Sequence, residues 1–522
     1  MTAISVLLWF ALILLLAYRF YVNNIKRIPN FPPGPPRLPF LEDYGLLLLL
    51  NYRHLFRAAD KLARYYKTKL LGLRLVGIPT IIIYDLAIAR EVLKRSEFDG
   101  RPGLFLALMR QKQFKRRGIF FTEGPAWKEH RLFFLRHLRD YGFGKRSEQY
   151  EQHIESELLQ LVDLLQSGPR YEYEGDFISK NGCAKCPDVF FVTIANMFLQ
   201  LITMERYQRA RAKPLVNASR NGLQFLRFAD GFGTVYSYFP WVRYVFPFTK
   251  KYHKIRDGML GLSRFFERLI SLQMDTLHDP ENPRHFIDRY LDEAQNHIPQ
   301  NADFTFQYDQ LVTGLADFYM PAVVGTSVQL SMALERLLLD PEAMQRIQRE
   351  IDDVVDHDRL PTLNDRINLP YTEATVRECL RIDTLIPTGI VHRTTENTEL
   401  EGYHVHENTL LLVDFDRINN QQDIWEDPRK FRPDRFLDDM GKLDLSKDRT
   451  LSFGIGKRQC PGQTFARNTL FLMLATLLQR FELKHNPTNP WPILSKRQTG
   501  LIHAPDDFWI RFVPRPERTL QK

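Results

Sequence analysis

Four cysteines are spread over 522 residues, at positions 183, 186, 379 and 460. Of these, Cys460 stands in a setting suited to ligand chemistry. It falls in the run Phe453-Gly454-Ile455-Gly456-Lys457-Arg458-Gln459-Cys460-Pro461-Gly462. Two glycines and a Pro-Gly pair make a tight loop with room for a flat ligand. The apolar stretch Thr464–Leu478 behind it has the period of a helix. A thiolate at the N-terminal end of that helix is stabilised by the helix dipole and by free backbone N–H groups. Those N–H groups also temper the electron donation of the sulfur to a metal. Cys183-Ala184-Lys185-Cys186, by contrast, has no second pair of ligands nearby and reads as two free thiols. So few cysteines in so long a chain fit a reducing compartment.

Three further strings pair groups at short spacings. Glu378-Cys379-Leu380-Arg381 sets an acid and a base at i,i+3, on one helical face. Phe431-Arg432-Pro433-Asp434-Arg435-Phe436 follows it and precedes Cys460. Trp127 and Arg131 stand at i,i+4, and an indole N–H and a guanidinium are suited donors to carboxylates. In this order the strings resemble the cytochrome P-450 family of haem-thiolate monooxygenases, and the run ending at Gly462 resembles its haem-binding loop. The likeness covers nearly the whole chain, from an N-terminal anchor and proline hinge to a C-terminal hairpin. It looks nearest to microsomal animal members, and Leu135–Gly144 has an arthropod character.

The resemblance implies a haem b cofactor (iron protoporphyrin IX) with Cys460 as its iron ligand. It implies that Trp127, Arg131, His392 and Arg458 contact the haem propionates and that Phe453 belongs to the haem loop. Glu378, Arg381 and Arg435 are implied to form a buried ion network under that loop, with Asp434 where the family more commonly has Glu. The distal helix departs further. Members carry Ala/Gly-Gly-x-Asp/Glu-Thr-Thr/Ser there, and the acid and first Thr order the waters that bring protons to the haem. An ungapped register anchored on Asp317, Leu330, Ala333-Leu334 and Pro341-Glu342 sets Pro321-Ala322-Val323-Val324-Gly325-Thr326 against that motif. Val324 then replaces the acid and Gly325 the first Thr. Thr326, followed by Ser327, remains as the catalytic candidate. Pro321 removes one helical hydrogen bond and predicts a kink.

The implied reaction inserts one oxygen atom from O2 into an apolar small molecule, whether steroid, lipid, terpenoid or xenobiotic. Its electrons come from a membrane-bound NADPH-cytochrome reductase, with cytochrome b5 as a second carrier. Lys128, Arg136, Arg139 and Lys457 are the basic groups expected to meet the acidic face of such a partner. The altered distal motif leaves two other readings open. One is a haem-thiolate isomerase or lyase that rearranges a peroxide without O2; the other is a non-catalytic haem or ligand-binding protein. Segments 100–120, 195–230, 311–326, 384–391 and 499–503 are those the family likeness assigns to the pocket.

These groups need a scaffold, and the patterning predicts a mainly α chain with a minor β region, as in the cytochrome P-450 fold. Helical periodicity marks Trp127–Leu138, Glu148–Leu165, Leu311–Leu339, Pro341–Val355 and Tyr371–Arg381. Leu71–Tyr84 reads as a hairpin, Ile390–Phe415 as a strand-rich patch and Thr499–Phe512 as a C-terminal hairpin. Ile4–Tyr18 carries no charge, and with apolar character continuing to Val22 it approaches the roughly 20 residues that cross a bilayer. Lys26 and Arg27 follow it and no Lys or Arg precedes it, so the positive-inside rule puts the remainder in the cytosol. The expected organisation is a membrane anchor over 1–28, a proline-rich hinge over 29–39 and a catalytic domain over 40–522. A single N-terminal pass would hold it at the endoplasmic reticulum membrane. The aromatic run Phe239–Pro247 is expected to touch the same membrane. The excess of 71 Lys+Arg over 62 Asp+Glu gives a charge of +9. No basic tail or nucleic-acid motif accompanies it, so the charge favours an anionic membrane or an acidic protein over nucleic acid.

Overall fold

The computed structural model describes residues 3–20, 28–36, 41–276, 282–296, 306–486 and 497–516. The chain is mainly helical, and the helices Gly124–Asp140, Glu148–Ser167, Pro341–Val354 and Pro370–Ile382 lie where the apolar periodicity sets them. Three of them carry proline in the first turn, where its missing N–H is no loss. Asp340 caps the Pro341 helix, its carboxylate accepting from the Ala343 N–H at 3.0 Å.

The helix Tyr308–Leu339 runs through the core and is 89% buried over its most apolar stretch. It is called the cavity helix below. Phe318 on it stacks against Phe134 of Gly124–Asp140, with ring centroids 5.3 Å apart, so these two helices are fixed on each other. The irregularity predicted at Pro321 takes a definite form. Tyr308–Tyr319 and Thr326–Leu339 are α-helical, and Met320–Gly325 between them is a π-helical segment. Pro321 has no N–H to offer the carbonyl four residues back, so the turn widens there to reach a donor one residue further on.

The minor β region supports the other side of the site. Leu70–Leu75 and Ile78–Ile83 form the expected hairpin, closed by Val76 and Gly77, both at positive φ. A two-residue turn of that kind matches the twist of the strands it joins. Leu410–Val413 pairs in parallel with Ile78–Ile83, and His392–Arg393 pairs antiparallel on its outer side. The C-terminal region is more divided than a single hairpin. Arg497–Thr499 pairs with His503–Pro505, whereas Phe508–Pro514 is the central strand of a separate sheet. Its neighbours there are Phe481–His485 and Cys183–Cys186. The Cys-x-x-Cys segment is therefore a strand whose two buried thiols are free, and burial pushes both of them up.

At the N-terminus, Ala3–Phe20 is a helix of 18 residues. Its described apolar side chains are exposed, Trp9 and Leu15 both by about 60%. At 1.5 Å per residue the helix is about 27 Å long, a little under the ~30 Å hydrocarbon core of a bilayer. Residues 21–27 of the expected anchor and 37–39 of the expected hinge lie outside the described residues.

Candidate active site

A cavity of about 230 Å³ lies between the cavity helix and the Cys460 loop, and each of the five segments assigned to a pocket contributes to its wall. Cys460 is half-buried on that wall. The loop is closed by its own backbone: the Cys460 N–H donates to the Phe453 carbonyl at 2.9 Å, and the Gly454 N–H to the Leu451 carbonyl at 2.8 Å. Gly456 is fixed as glycine twice over. Its φ is +76°, and a Cβ would stand 1.9 Å from the Leu93 carbonyl oxygen. Burial pushes the Cys460 thiol up, while the Gly462 N–H and the charge of Arg131 pull the other way. A cation at the sulfur would complete that second set and leave a thiolate.

Trp127, Arg131, His392, Phe453 and Arg458 all border this cavity. The first three and Arg458 are gathered at one end of it, with Arg101, which the sequence reading missed. The Arg458 guanidinium lies 3.4 Å from the centre of the Trp127 ring. Each arginine is held by main chain: Arg458 donates to Asp99 O, Arg131 to Gln459 O, and Arg101 to Phe120 O and Val391 O. The charges are poorly compensated. Arg458 is pushed down to about 8, first by burial and then by Arg101, with Asp99 only partly opposing. Arg101, 5% exposed, is pushed down to about 9 by burial, with Arg131 adding to it. Burial and these same cations hold His392 well below its ordinary range, so the ring is neutral.

This end of the cavity fits the two propionates of haem. Guanidinium groups keep their protons at ordinary pH, so these shifts, caused first by burial, mark cations that a carboxylate placed beside them would stabilise. The Trp127 Nε1–H is buried and has no partner among the described residues. His392 Nδ1 donates to Phe98 O at 2.7 Å, which fixes the tautomer and leaves Nε2 as the nitrogen available to the cavity. A carboxylate beside Nε2 favours protonation of the ring, after which both nitrogens donate.

The ion network under the loop is present in full. Arg381 binds Glu378 through two parallel hydrogen bonds of 2.7 and 2.8 Å, with both side chains inaccessible to solvent. Arg435 Nε and the Arg432 backbone N–H reach the same carboxylate at 3.1 and 2.9 Å. The network then continues to the loop by residues with no signal in the sequence. Arg381 donates to Asn419 O, Asn419 Oδ1 accepts from the Leu451 N–H, and Asn419 Nδ2 donates to Ser452 Oγ. Ser452 in turn donates to Leu380 O at 2.7 Å, returning to the helix that carries Glu378.

The opposite wall is formed in part by the π segment. Ala322, Gly325 and Thr326 line the cavity, but Val324 does not. Val324 faces the helix Lys213–Phe228, where a Cβ on Gly222 would come 3.3 Å from its methyl. Thus neither position expected to take the place of the acid and first Thr offers a polar side chain: Val324 packs away from the cavity and Gly325 lines it with backbone alone. Asp317 is the one acidic side chain on the wall among the described residues, and it is committed elsewhere. It pairs with Arg110 and accepts from the backbone N–H groups of Ile119 and Phe120 at 2.6 and 3.1 Å.

A cysteine at one wall, a helix with a single free hydroxyl at the other and a cationic end together define a haem-binding class of enzyme. A family model described as Cytochrome P450 matches residues 32–510. Farnesoate epoxidase of Bombyx mori is 30% identical over 97% of this chain and 98% of its own length. Cytochrome P450 2U1 of Homo sapiens is 28% identical over 93% of this chain and 89% of its own, and Cytochrome P450 2E1 of Mus musculus is 29% identical over 98% of each. The chain belongs to the cytochrome P450 family. It is a haem b monooxygenase that inserts one oxygen atom from O2 into an apolar small molecule, with electrons supplied by a reductase. Of the three readings left open by the altered distal motif, oxygen insertion is the one that stands. Its microsomal relatives suggest the endoplasmic reticulum membrane as its place of work.

Proposed function

We propose that Cys460 ligates the haem iron, that Trp127, Arg101, Arg131, Arg458 and His392 hold the propionates, and that Thr326 governs protons on the distal side. The observation that carries this reading is the single cavity shared by the Cys460 sulfur, the undercompensated arginines and the Thr326 hydroxyl. When bound, the haem supplies the redox chemistry, in which O2, two electrons and two protons yield an oxygenated product and water. The protein's own groups do the rest. The Cys460 thiolate donates electron density, and the arginines orient the flat group by its carboxylates. Phe453 shields the Cys460 side from water, and the apolar residues of the cavity helix and facing segments do so on the substrate side. Thr326 Oγ1 is buried with no partner among the described residues, so it is free to pass a proton into the cavity.

Thr326→Ala should therefore raise hydrogen peroxide released per NADPH oxidised and lower product per NADPH by roughly tenfold or more, as for loss of a positioned proton donor. Product, peroxide and NADPH measured together on both proteins decide the matter. Unchanged coupling would remove Thr326 from the mechanism.

For location, the reading assigns 1–28 as a single-pass anchor, 29–39 as its hinge and 40–522 as a cytosolic catalytic domain. A second membrane contact is supported by exposed apolar groups on neighbouring segments. Leu49 and Tyr52 end the helix Glu42–Asn51 and its cap, and Trp241, Tyr244 and Phe246 follow Tyr238. The Tyr44 and Tyr238 rings, 4.7 Å apart, join the two segments. Removal of residues 1–28 should thus weaken sedimentation with membranes without abolishing it, and should leave haem content intact. A soluble truncated chain that cannot bind haem would contradict the separation. The electron donors, both reductase and cytochrome b5, are assigned to the face of Gly124–Asp140 where Lys128, Arg136 and Arg139 surround the exposed Leu132, with Lys457 beside it.

A further inference from the structure

We infer that Gln329 is a positioning residue for proton delivery: its amide oxygen and the Thr326 hydroxyl together hold one ordered water at the distal wall. The inference rests on the role given to Thr326 above. Gln329 stands one helical turn beyond Thr326, at i+3, so the two side chains share a face of the cavity helix. Both line the cavity, at 2% and 3% exposure respectively. Gln329 Nε2 donates to the Cys379 carbonyl at 3.1 Å. A carbonyl only accepts, so the amide must present its NH2 there and its Oε1 is the atom left over. Neither that Oε1 nor Thr326 Oγ1 has a partner among the described residues.

The other hydroxyls of this helix behave differently. Thr313, Ser327 and Ser331 each donate to the carbonyl four residues back, at 2.7 Å. Thr326, the first residue after the π segment, makes no such bond. Two buried oxygen atoms on one face of the helix, without partners among the described residues, provide what a bound water requires. Chemistry then sets the direction of that water. Gln329 Oε1 can only accept, so the water gives it one hydrogen. When its second hydrogen goes to the Thr326 oxygen, the Thr326 hydrogen is left to point at an acceptor in the cavity. Gln329 makes and breaks no bond. It supplies orientation that the family draws from a carboxylate, whose place is taken by the apolar Val324 and from which Asp317 is withheld by Arg110.

The test compares Gln329→Leu, Gln329→Glu and Thr326→Ala in the full-length holoenzyme. Peroxide per NADPH, haem content and thermal midpoint are measured, together with the waters in a high-resolution crystal structure of the wild type. Gln329→Leu should raise peroxide per NADPH about fivefold at unchanged haem content, less than Thr326→Ala because it acts through another group. A buried Glu is neutral, keeps one acceptor and can donate to Cys379 O, so Gln329→Glu should return the ratio to within about twofold of wild type. If Thr326→Ala raises the ratio and Gln329→Leu does not, the glutamine only ties two helices together and the inference fails alone. If neither variant changes it, the Thr326 reading fails as well. Should Gln329→Leu not load haem, Gln329→Glu and the wild-type waters decide, and the absence of a water bonded to both oxygens overturns the inference.

Discussion

Cys460→Ser is expected to leave a folded protein that has lost its thiolate spectrum and its turnover. The closure of the loop does not depend on the sulfur. Its closure is a backbone hydrogen bond to Phe453, and its path is set by glycines at positive φ and by the Asn419 link to Leu451. The chemistry does depend on it. A serine oxygen is hard and stays protonated, so it gives the iron neither the soft ligand nor the electron density that oxygen cleavage requires. Product formation should fall by at least about 10³-fold, the scale on which loss of an essential group acts. The Soret band of the reduced, carbon monoxide-treated protein is the direct check. A variant that kept the strongly red-shifted band would show that another residue ligates the iron.

The second large effect is on stability. Glu378→Ala removes the carboxylate shared by Arg381 and Arg435 and leaves both cations in the interior. Breaking one partner out of a buried pair typically costs about 3–5 kcal/mol, because the remaining charge has neither water nor counter-ion. The damage should reach the haem loop, since Arg381 holds the Asn419 carbonyl and Asn419 holds Leu451 and Ser452. Denaturation followed by haem release should show both a lower midpoint and loss of haem before global unfolding. The half-exposed pair between Arg346 and Asp434 is the control, and Arg346→Ala should change stability by less than about 1 kcal/mol. Equal effects of the two substitutions would mean that the Glu378 network carries no special load.

Much of this organisation is written locally in the sequence. Helices such as Glu148–Ser167 and Pro370–Ile382 follow from apolar period and first-turn proline, and the Gly454–Gly456 pair needs no partner elsewhere to define its turn. What escaped depends on distant partners. Arg101 gains its place from the carbonyl of Val391, 290 positions away, and no pattern around Gly100-Arg101-Pro102 announces it. Asn419 matters only because Arg381 and the Cys460 loop converge on it. The strand Phe508–Pro514 pairs with Cys183–Cys186 from the other half of the chain, which a hairpin pattern cannot convey. The π-helical form of Met320–Gly325 was not legible for a different reason. Pro321 signals an irregular turn, but whether the helix bends or takes up a residue is decided by packing against Gly222 and the cavity.

Arginines that hold a cofactor's carboxylates couple the stability of the fold to binding of that cofactor. Arg101 is buried and Arg131 and Arg458 are half-buried close to it, so two propionates held there would offset the repulsion among the three cations. A ligand that binds only the folded state stabilises it by about 2.7 kcal/mol at a hundredfold excess over its Kd. A shift of that size changes the unfolded fraction presented to proteases about a hundredfold. Removal of the haem should therefore lower the thermal midpoint of the folded chain.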